Sequence, residues 1–157
     1  MTDLRVGIGV DAHGFADGVP LVLGGVRFDH PRGLAGHSDG DVIVHALIDA
    51  LLGAAGLGDI GSLFPSEGST PEGVRSLELL RTAYSRVRAD GWLLVNADCV
   101  LIGQEPRIAD RRAEMEQLLG ELLGGPVSVR ATTTDRLGFT GRGEGLAAQS
   151  VALLSRG

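Results

Sequence analysis

GLAGHSDGDVIVHALIDALLGAAGLGDIG, residues 33–61, contains a segment with helical periodicity that is apolar on almost every face. Its ionisable positions are Asp41, His45 and Asp49, spaced four apart. At about 3.6 residues per turn an i, i+4, i+8 set drifts by only about 40° per step, so the three share one stripe. Val42, Ile43, Val44, Leu47, Ile48, Leu51 and Leu52 cover the other faces, the signature of a buried helix. An isolated buried charge is too costly to keep, so the stripe needs hydrogen-bond, ionic or metal partners. Just upstream, Ser38 or Asp39 is placed to cap the helix, with Asp41 in the first turn against the partial positive charge there. Glycines between 53 and 58 end it.

Toward the N-terminus, LRVGIGVD (4–11) alternates Val6, Ile8 and Val10 with glycines, a strand against which another element packs closely. It runs into Asp11-Ala12-His13, and residues two apart in an extended chain face the same way, so a carboxylate and an imidazole aim at one object. LVLGGVRF (21–28) is a hairpin turning at Gly24-Gly25. Toward the C-terminus, 61–76 is rich in Gly, Ser and Pro without periodicity and is expected to be a mobile surface loop. Residues 77–90 form an amphipathic helix with Arg86 and Arg88 outward, and 93–102 a buried strand. Residues 109–123 form a helix with Met115, Leu118, Leu119 and Leu122 inward, and 127–133 a half-buried strand. Residues 146–154 are expected as a strand adding another edge to the sheet. The order gives an α+β fold, a mixed β-sheet with helices packed on one face, in a single domain over 1–157.

The 157 residues suffice for one sizeable core, and 43% apolar residues is ordinary for a globular chain. A formal charge of −6, with basic residues scattered singly or in pairs, argues against a nucleic-acid partner. The single cysteine, Cys99, lies in an apolar run and is expected to pack in the core. No uncharged apolar stretch reaches the roughly 18 residues of a membrane span, and a cytoplasmic location without membrane contact is expected.

Asp11, His13 and His45 together offer one carboxylate oxygen and two imidazole nitrogens, the composition of three-ligand catalytic zinc sites that keep a fourth position open. A cysteine-rich structural site is excluded by the lone Cys99. His37 and Asp59 lie in turn-like contexts at the two ends of the helix region. In residues 131–145, the three consecutive threonines 132–134, Asp135, Arg142 and four glycines offer amides and hydroxyls suited to phosphate and a carboxylate suited to magnesium. A plain glycine-rich turn between strands fits the same residues. Neither a Walker loop nor a dinucleotide fingerprint is present.

With DAH, HSDGD, LGDIG and ATTTDRLGFTGRGEG in order, the chain resembles the 2-C-methyl-D-erythritol 2,4-cyclodiphosphate synthases almost end to end. The resemblance implies a homotrimer with active sites between subunits and an axial hydrophobic channel suited to an isoprenoid diphosphate. It also implies the reaction. The 2-phosphate of 4-diphosphocytidyl-2-C-methyl-D-erythritol 2-phosphate attacks the β-phosphate internally, releasing CMP, in the non-mevalonate route to isoprenoids. By the same resemblance Asp11, His13 and His45 are zinc ligands, one ion per subunit, and Asp135 holds magnesium or manganese with the substrate diphosphate. His37 and Ser38 contact phosphate, and His37 and Thr133 stabilise the transition state. Asp11 and His13 also border the substrate, and Asp59, Ile60 and Gly61 hold the methylerythritol hydroxyls, followed by Phe64, Pro65, Ser66, Glu67 and Gly68. Gly103, Gln104, Glu105, Pro106, Arg107, Ile108 and Ala109 belong to the cytidine segment. Ala131, Thr132, Thr133, Thr134 and Asp135, with Phe139 and Arg142, complete the cytidine and phosphate contacts from the neighbouring subunit. The family usually carries Glu at position 135 and Lys at 107, and its loop after FP differs from FPSEGSTPEGVRS.

Two other functions fit the same residues. A metal-dependent phosphohydrolase would use the ligands to activate water, with Asp41 or Asp49 as base. A nucleotide- or terpenoid-binding trimer would hold CMP tightly without turnover.

Overall fold

The computed structural model describes residues 1–65 and 75–157, so Ser66, Glu67 and Gly68 and most of the expected loop lie outside the described residues. Strands β1 (Asp3–Asp17), β2 (Leu21–Leu23), β3 (Val26–Phe28) and β4 (Arg32–Leu34) precede helix α1 (Val42–Ala55). The short α2 (Ile60–Leu63), α3 (Ser76–Ala89) and β5 (Leu93–Ile102) follow. A 3-10 turn at Ala109–Arg111 leads into α4 (Arg112–Leu123), then β6 (Val127–Thr132), the short α5 (Gly138–Gly141) and β7 (Gly145–Arg156). The main sheet has the order β4-β1-β7-β5-β6, antiparallel except for the β5–β6 pair, which is parallel and joined through α4. The mixed sheet with helices on one face is therefore observed. The last strand, however, is the centre of the sheet rather than an edge, pairing with β1 on one side and β5 on the other.

The glycines of β1 explain how α1 docks. Gly7 and Gly9 face the helix, and a Cβ on Gly9 would stand 1.9 Å from the Ala46 carbonyl oxygen, one on Gly7 2.0 Å from that of Ala50. The helix backbone thus rests on the strand backbone. The Val6, Ile8 and Val10 stripe points the opposite way and is 69%, 60% and 63% exposed. Leu93, Val95 and Val151 are also exposed, and Val151 stands opposite Ile8 across the β1–β7 pair. The aliphatic run of β5 therefore alternates buried and exposed instead of being buried throughout. Helix α1 itself is buried between β1, β7 and α3. In α4, Met115, Leu119 and Leu123 are buried, whereas Leu118 and Leu122 pack only at its margin.

Asp41, not Ser38 or Asp39, caps α1: its Oδ1 accepts from Val44 N–H at 3.1 Å. The same carboxylate accepts from both amides of the β2–β3 turn, Gly24 N–H at 2.9 Å and Gly25 N–H at 2.7 Å. Gly24 and Gly25 both have positive φ, which glycine adopts without strain and which a two-residue hairpin turn requires. Burial pushes this carboxyl up to about 6, the three amides notwithstanding. Asp41→Asn keeps an oxygen for Gly24 and Val44 but sets an amide donor against Gly25 N–H. We expect it to cost about 1–3 kcal/mol in denaturant unfolding, the range for one buried group left unpaired.

Cys99 is fully buried beside Ser150, 3.4 Å away, and burial raises its thiol to about 11. The nucleophilic thiolate is accordingly scarce at neutral pH. Alkylation by iodoacetamide should track global unfolding, and rapid labelling of the native protein would contradict this.

Candidate metal centre and nucleotide cleft

On β1 the parity that turns Gly7 and Gly9 toward α1 continues to Asp11 and His13, so strand and helix contribute ligands to one point. The backbone contact at Gly9, beside Ala46, keeps that gap short enough for His45 to reach them. One donor atom from each of Asp11, His13 and His45 lies within 4.8 Å of the others. Asp11 Oδ2 is 2.8 Å from His13 Nε2 and 3.1 Å from His45 Nδ1, and the two ring nitrogens are 3.3 Å apart. The remaining ring nitrogens have other partners. His13 Nδ1–H donates to the Ala35 carbonyl at 2.7 Å. His45 Nε2 lies 2.8 Å from Ser76 Oγ and 2.9 Å from Ser38 Oγ.

Burial alone would raise the Asp11 carboxyl, but its bonds to His13 and His45 outweigh that and bring it down to about 2. His13 is raised above its ordinary value by the bond to Asp11, against the opposing effect of burial. A carboxylate and two imidazoles aimed at one another, each ring tied at its far nitrogen, are the donor set of a divalent-cation site.

The other two members of the helix stripe hold backbone instead. Asp41 is committed to three amides through both oxygens, and Asp49 Oδ1 accepts from Ile60 N–H at 2.7 Å. Asp49 thereby ties α2 to α1. Asp59 caps α2, accepting from Ser62 N–H at 2.8 Å, and leaves Ile60 half-buried and Gly61 exposed. Phe64 is half-buried and Pro65 exposed, and His37, half-buried, precedes Ser38 on the approach to α1.

A separate cleft of about 950 Å³ gathers Gly103, Gln104, Glu105, Pro106 and Arg107 with Ala131, Thr132, Thr133 and Arg142. None of Asp11, His13 and His45 lines it. Ile108 is 1% exposed and belongs to the core, while Ala109 opens the 3-10 turn at the surface. Thr134 Oγ1 donates to the Leu137 carbonyl at 2.6 Å. Asp135 is exposed with φ of 50°, Phe139 is 44% exposed, and neither belongs to the metal cluster of this chain. Phe15, His30, Arg32 and Arg136 also line the cleft, unanticipated from sequence. Phe15 and His30 stack at 5.7 Å, and the Arg32 guanidinium lies 4.4 Å from the Phe15 ring centre. These residues come from β1, the β3–β4 connection and β4, and no short spacing links Phe15 to the other two.

The YgbB family model matches residues 4–155. The 2-C-methyl-D-erythritol 2,4-cyclodiphosphate synthase of Alkalilimnicola ehrlichii is 52% identical over 157 residues, covering 98% of this chain and 96% of that protein. The enzyme of the same name from Cutibacterium acnes is 51% identical over 158 residues, covering 100% and 94%. Among solved structures, the bifunctional IspDF of Campylobacter jejuni superposes with TM-score 0.95 at 41% identity, matching all of this chain and 43% of that longer one. A CDP-bound 2C-methyl-D-erythritol-2,4-cyclodiphosphate synthase gives TM-score 0.87 at 38% identity over 96% of this chain and 99% of the other.

Proposed function

We proceed from the fact that this chain belongs to the YgbB family, and we infer from that and from its metal centre the reaction it performs. It converts 4-diphosphocytidyl-2-C-methyl-D-erythritol 2-phosphate to 2-C-methyl-D-erythritol 2,4-cyclodiphosphate and CMP, as a phosphorus–oxygen lyase of the non-mevalonate isoprenoid pathway. The observation that carries the chemistry is the convergence of Asp11, His13 and His45.

The 2-phosphate oxygen forms the new bond to the β-phosphorus, and the bond to the CMP phosphate breaks, its electron pair leaving with CMP. Because the nucleophile is an ionised phosphate, no general base is needed. Positioning carries much of the rate, since holding a tethered nucleophile in line contributes up to roughly 7–11 kcal/mol. Asp11 Oδ2, His13 Nε2 and His45 Nδ1 would hold a divalent cation, zinc in this reading, which when bound neutralises diphosphate charge as a Lewis acid. Asp135 would hold magnesium or manganese, which would add positive charge against the substrate diphosphate. His37 and Thr133 stabilise the transition state, and Ser38 contacts phosphate. The exposed threonines and Arg107, Arg136 and Arg142 give the cleft hydroxyls and positive charge for a cytidine diphosphate.

The same reading assigns a homotrimer in the cytoplasm, with the cleft of one subunit meeting the metal centre of the next and an axial channel for an isoprenoid diphosphate. Two observations support this assembly: the metal ligands and the cleft are separate within one chain, and among the described residues the sheet face opposite the helices is an uncovered apolar patch. Ile8→Glu puts a charge into that patch. Light scattering should then show a shift from three chains toward one, and an unchanged mass would remove the patch from the interface.

Phosphorus NMR with the presumed substrate, zinc and magnesium tests the reaction. CMP and a cyclic diphosphate in equal amounts are expected. An open-chain phosphate product would mean hydrolysis, and bound CMP without turnover a binding protein.

A further inference from the structure

We propose that Asp39 and Ser76 form a positioning relay that presents His45 to the cation through Nδ1, a deepening that rests on the metal-centre reading above. Ser76 opens α3, is fully buried, and its hydroxyl oxygen lies 2.8 Å from His45 Nε2. The same hydroxyl donates a short bond to Asp39 Oδ1. Asp39 Oδ2 accepts from Ser76 N–H at 3.0 Å, and Asp39 Oδ1 accepts from Asp41 N–H at 3.1 Å. Three donors thus surround a carboxylate, which has nothing to donate in return.

The direction of each proton follows from this arrangement. The single O–H proton of Ser76 is committed to Asp39, which leaves only lone pairs on Ser76 Oγ for the imidazole. Toward Ser76 the donor is then His45 Nε2, and a neutral ring protonated at Nε2 carries its free lone pair on Nδ1. Nδ1 is the atom that faces Asp11 Oδ2 and His13 Nε2. Ser38 Oγ, 2.9 Å from the same Nε2 and 3.4 Å from Ser76 Oγ, can accept that proton or direct its own at either neighbour, whereas the Ser76 hydroxyl is fully buried and tied to a carboxylate. Opposing the relay, Asp11 attracts a proton to Nδ1 in the metal-free protein. The two carboxylates therefore compete across one ring, and the more firmly the relay holds the proton at Nε2, the less a cation has to displace from Nδ1. A hydroxyl inserted between carboxylate and imidazole also joins the segment before α1 to the start of α3, so ring orientation depends on how those elements are held together.

The test uses the full-length protein freed of metal by a chelator. Long-range proton–nitrogen NMR at mildly alkaline pH reads the tautomer of each of the four histidines, with His45→Gln identifying the signal. The wild type should show His45 protonated at Nε2. Ser76→Ala and Asp39→Ala should shift it toward Nδ1–H, and each should weaken zinc binding about 10- to 100-fold in competition with a chromophoric chelator. Asp39→Ala removes the acceptor of the Ser76 hydroxyl, which leaves that hydroxyl free to turn toward the ring. A merely structural role for Ser76 would lower stability without moving the tautomer. If the wild type is Nδ1–H, or if both variants match it in tautomer and zinc affinity, the relay falls while the metal reading stands. If the wild type binds no zinc, both fall together. Should Ser76→Ala not fold, the wild-type tautomer still decides.

Discussion

His45→Ala should abolish stoichiometric zinc binding and lower turnover about a thousandfold or more, while the far-ultraviolet circular dichroism stays native. Three donors converge within 4.8 Å, and removing the only one contributed by α1 leaves a carboxylate and one imidazole on a single strand. The Lewis-acid contribution to a charged transition state is several kcal/mol, and each 1.36 kcal/mol is tenfold in rate. The fold should survive because α1 is held by its other buried side chains, from Val42 to Ala54, and by its Asp41 cap. Metal analysis and product formation by phosphorus NMR check the two halves of the expectation separately. A variant that retains zinc at wild-type affinity would show the ligand assignment to be wrong.

The second large effect is expected from a single methyl group. In Gly9→Ala the new Cβ would stand 1.9 Å from the Ala46 carbonyl oxygen and 2.8 Å from the Ala50 nitrogen, both backbone atoms of a helix packed on its other side by α3. Neither atom belongs to a flexible side chain, so relief requires moving the helix off the strand. Overpacking costs roughly 1–3 kcal/mol in general, and we expect about 3 kcal/mol here. For a chain of this size that is a loss of about 10 °C in Tm. The same displacement carries His45 away from Asp11 and His13, so zinc affinity should fall in parallel. Gly14→Ala is the control, because its Cβ would meet nothing closer than 3.8 Å. Equal melting temperatures for the two variants would mean that the close strand–helix contact does not limit packing.

Much of this was legible before any coordinates. The 3.6-residue period of 42–52 marked a buried helix, the alternation in 127–132 a half-buried strand, and Gly24-Gly25 a two-residue turn, because each depends on neighbours a few positions apart. Residue chemistry pointed to Asp11, His13 and His45, since only those types at a strand end and on a buried helix face compose such a donor set. The role of Asp41 was not legible. Two of its three amides come from a turn 16 and 17 residues upstream, and sequence spacing carries no record of that approach. Ser76 was missed for the same reason: a serine after a Gly- and Pro-rich stretch looks solvated until it is found fully buried beside His45. Phe15, His30 and Arg32 entered the cleft only through the path of β1 and β4.

Sequence by itself determined the elements, the α+β class and the identity of the three converging donor side chains, because periodicity and side-chain chemistry are local properties. Tertiary structure decided which face of β1 meets the helix, that β7 lies at the centre of the sheet, and which nitrogen of each histidine turns inward. The physical reason is that these depend on long-range packing: glycines that let two backbones touch, strand partners more than a hundred residues apart, and hydrogen bonds to groups contributed by other elements.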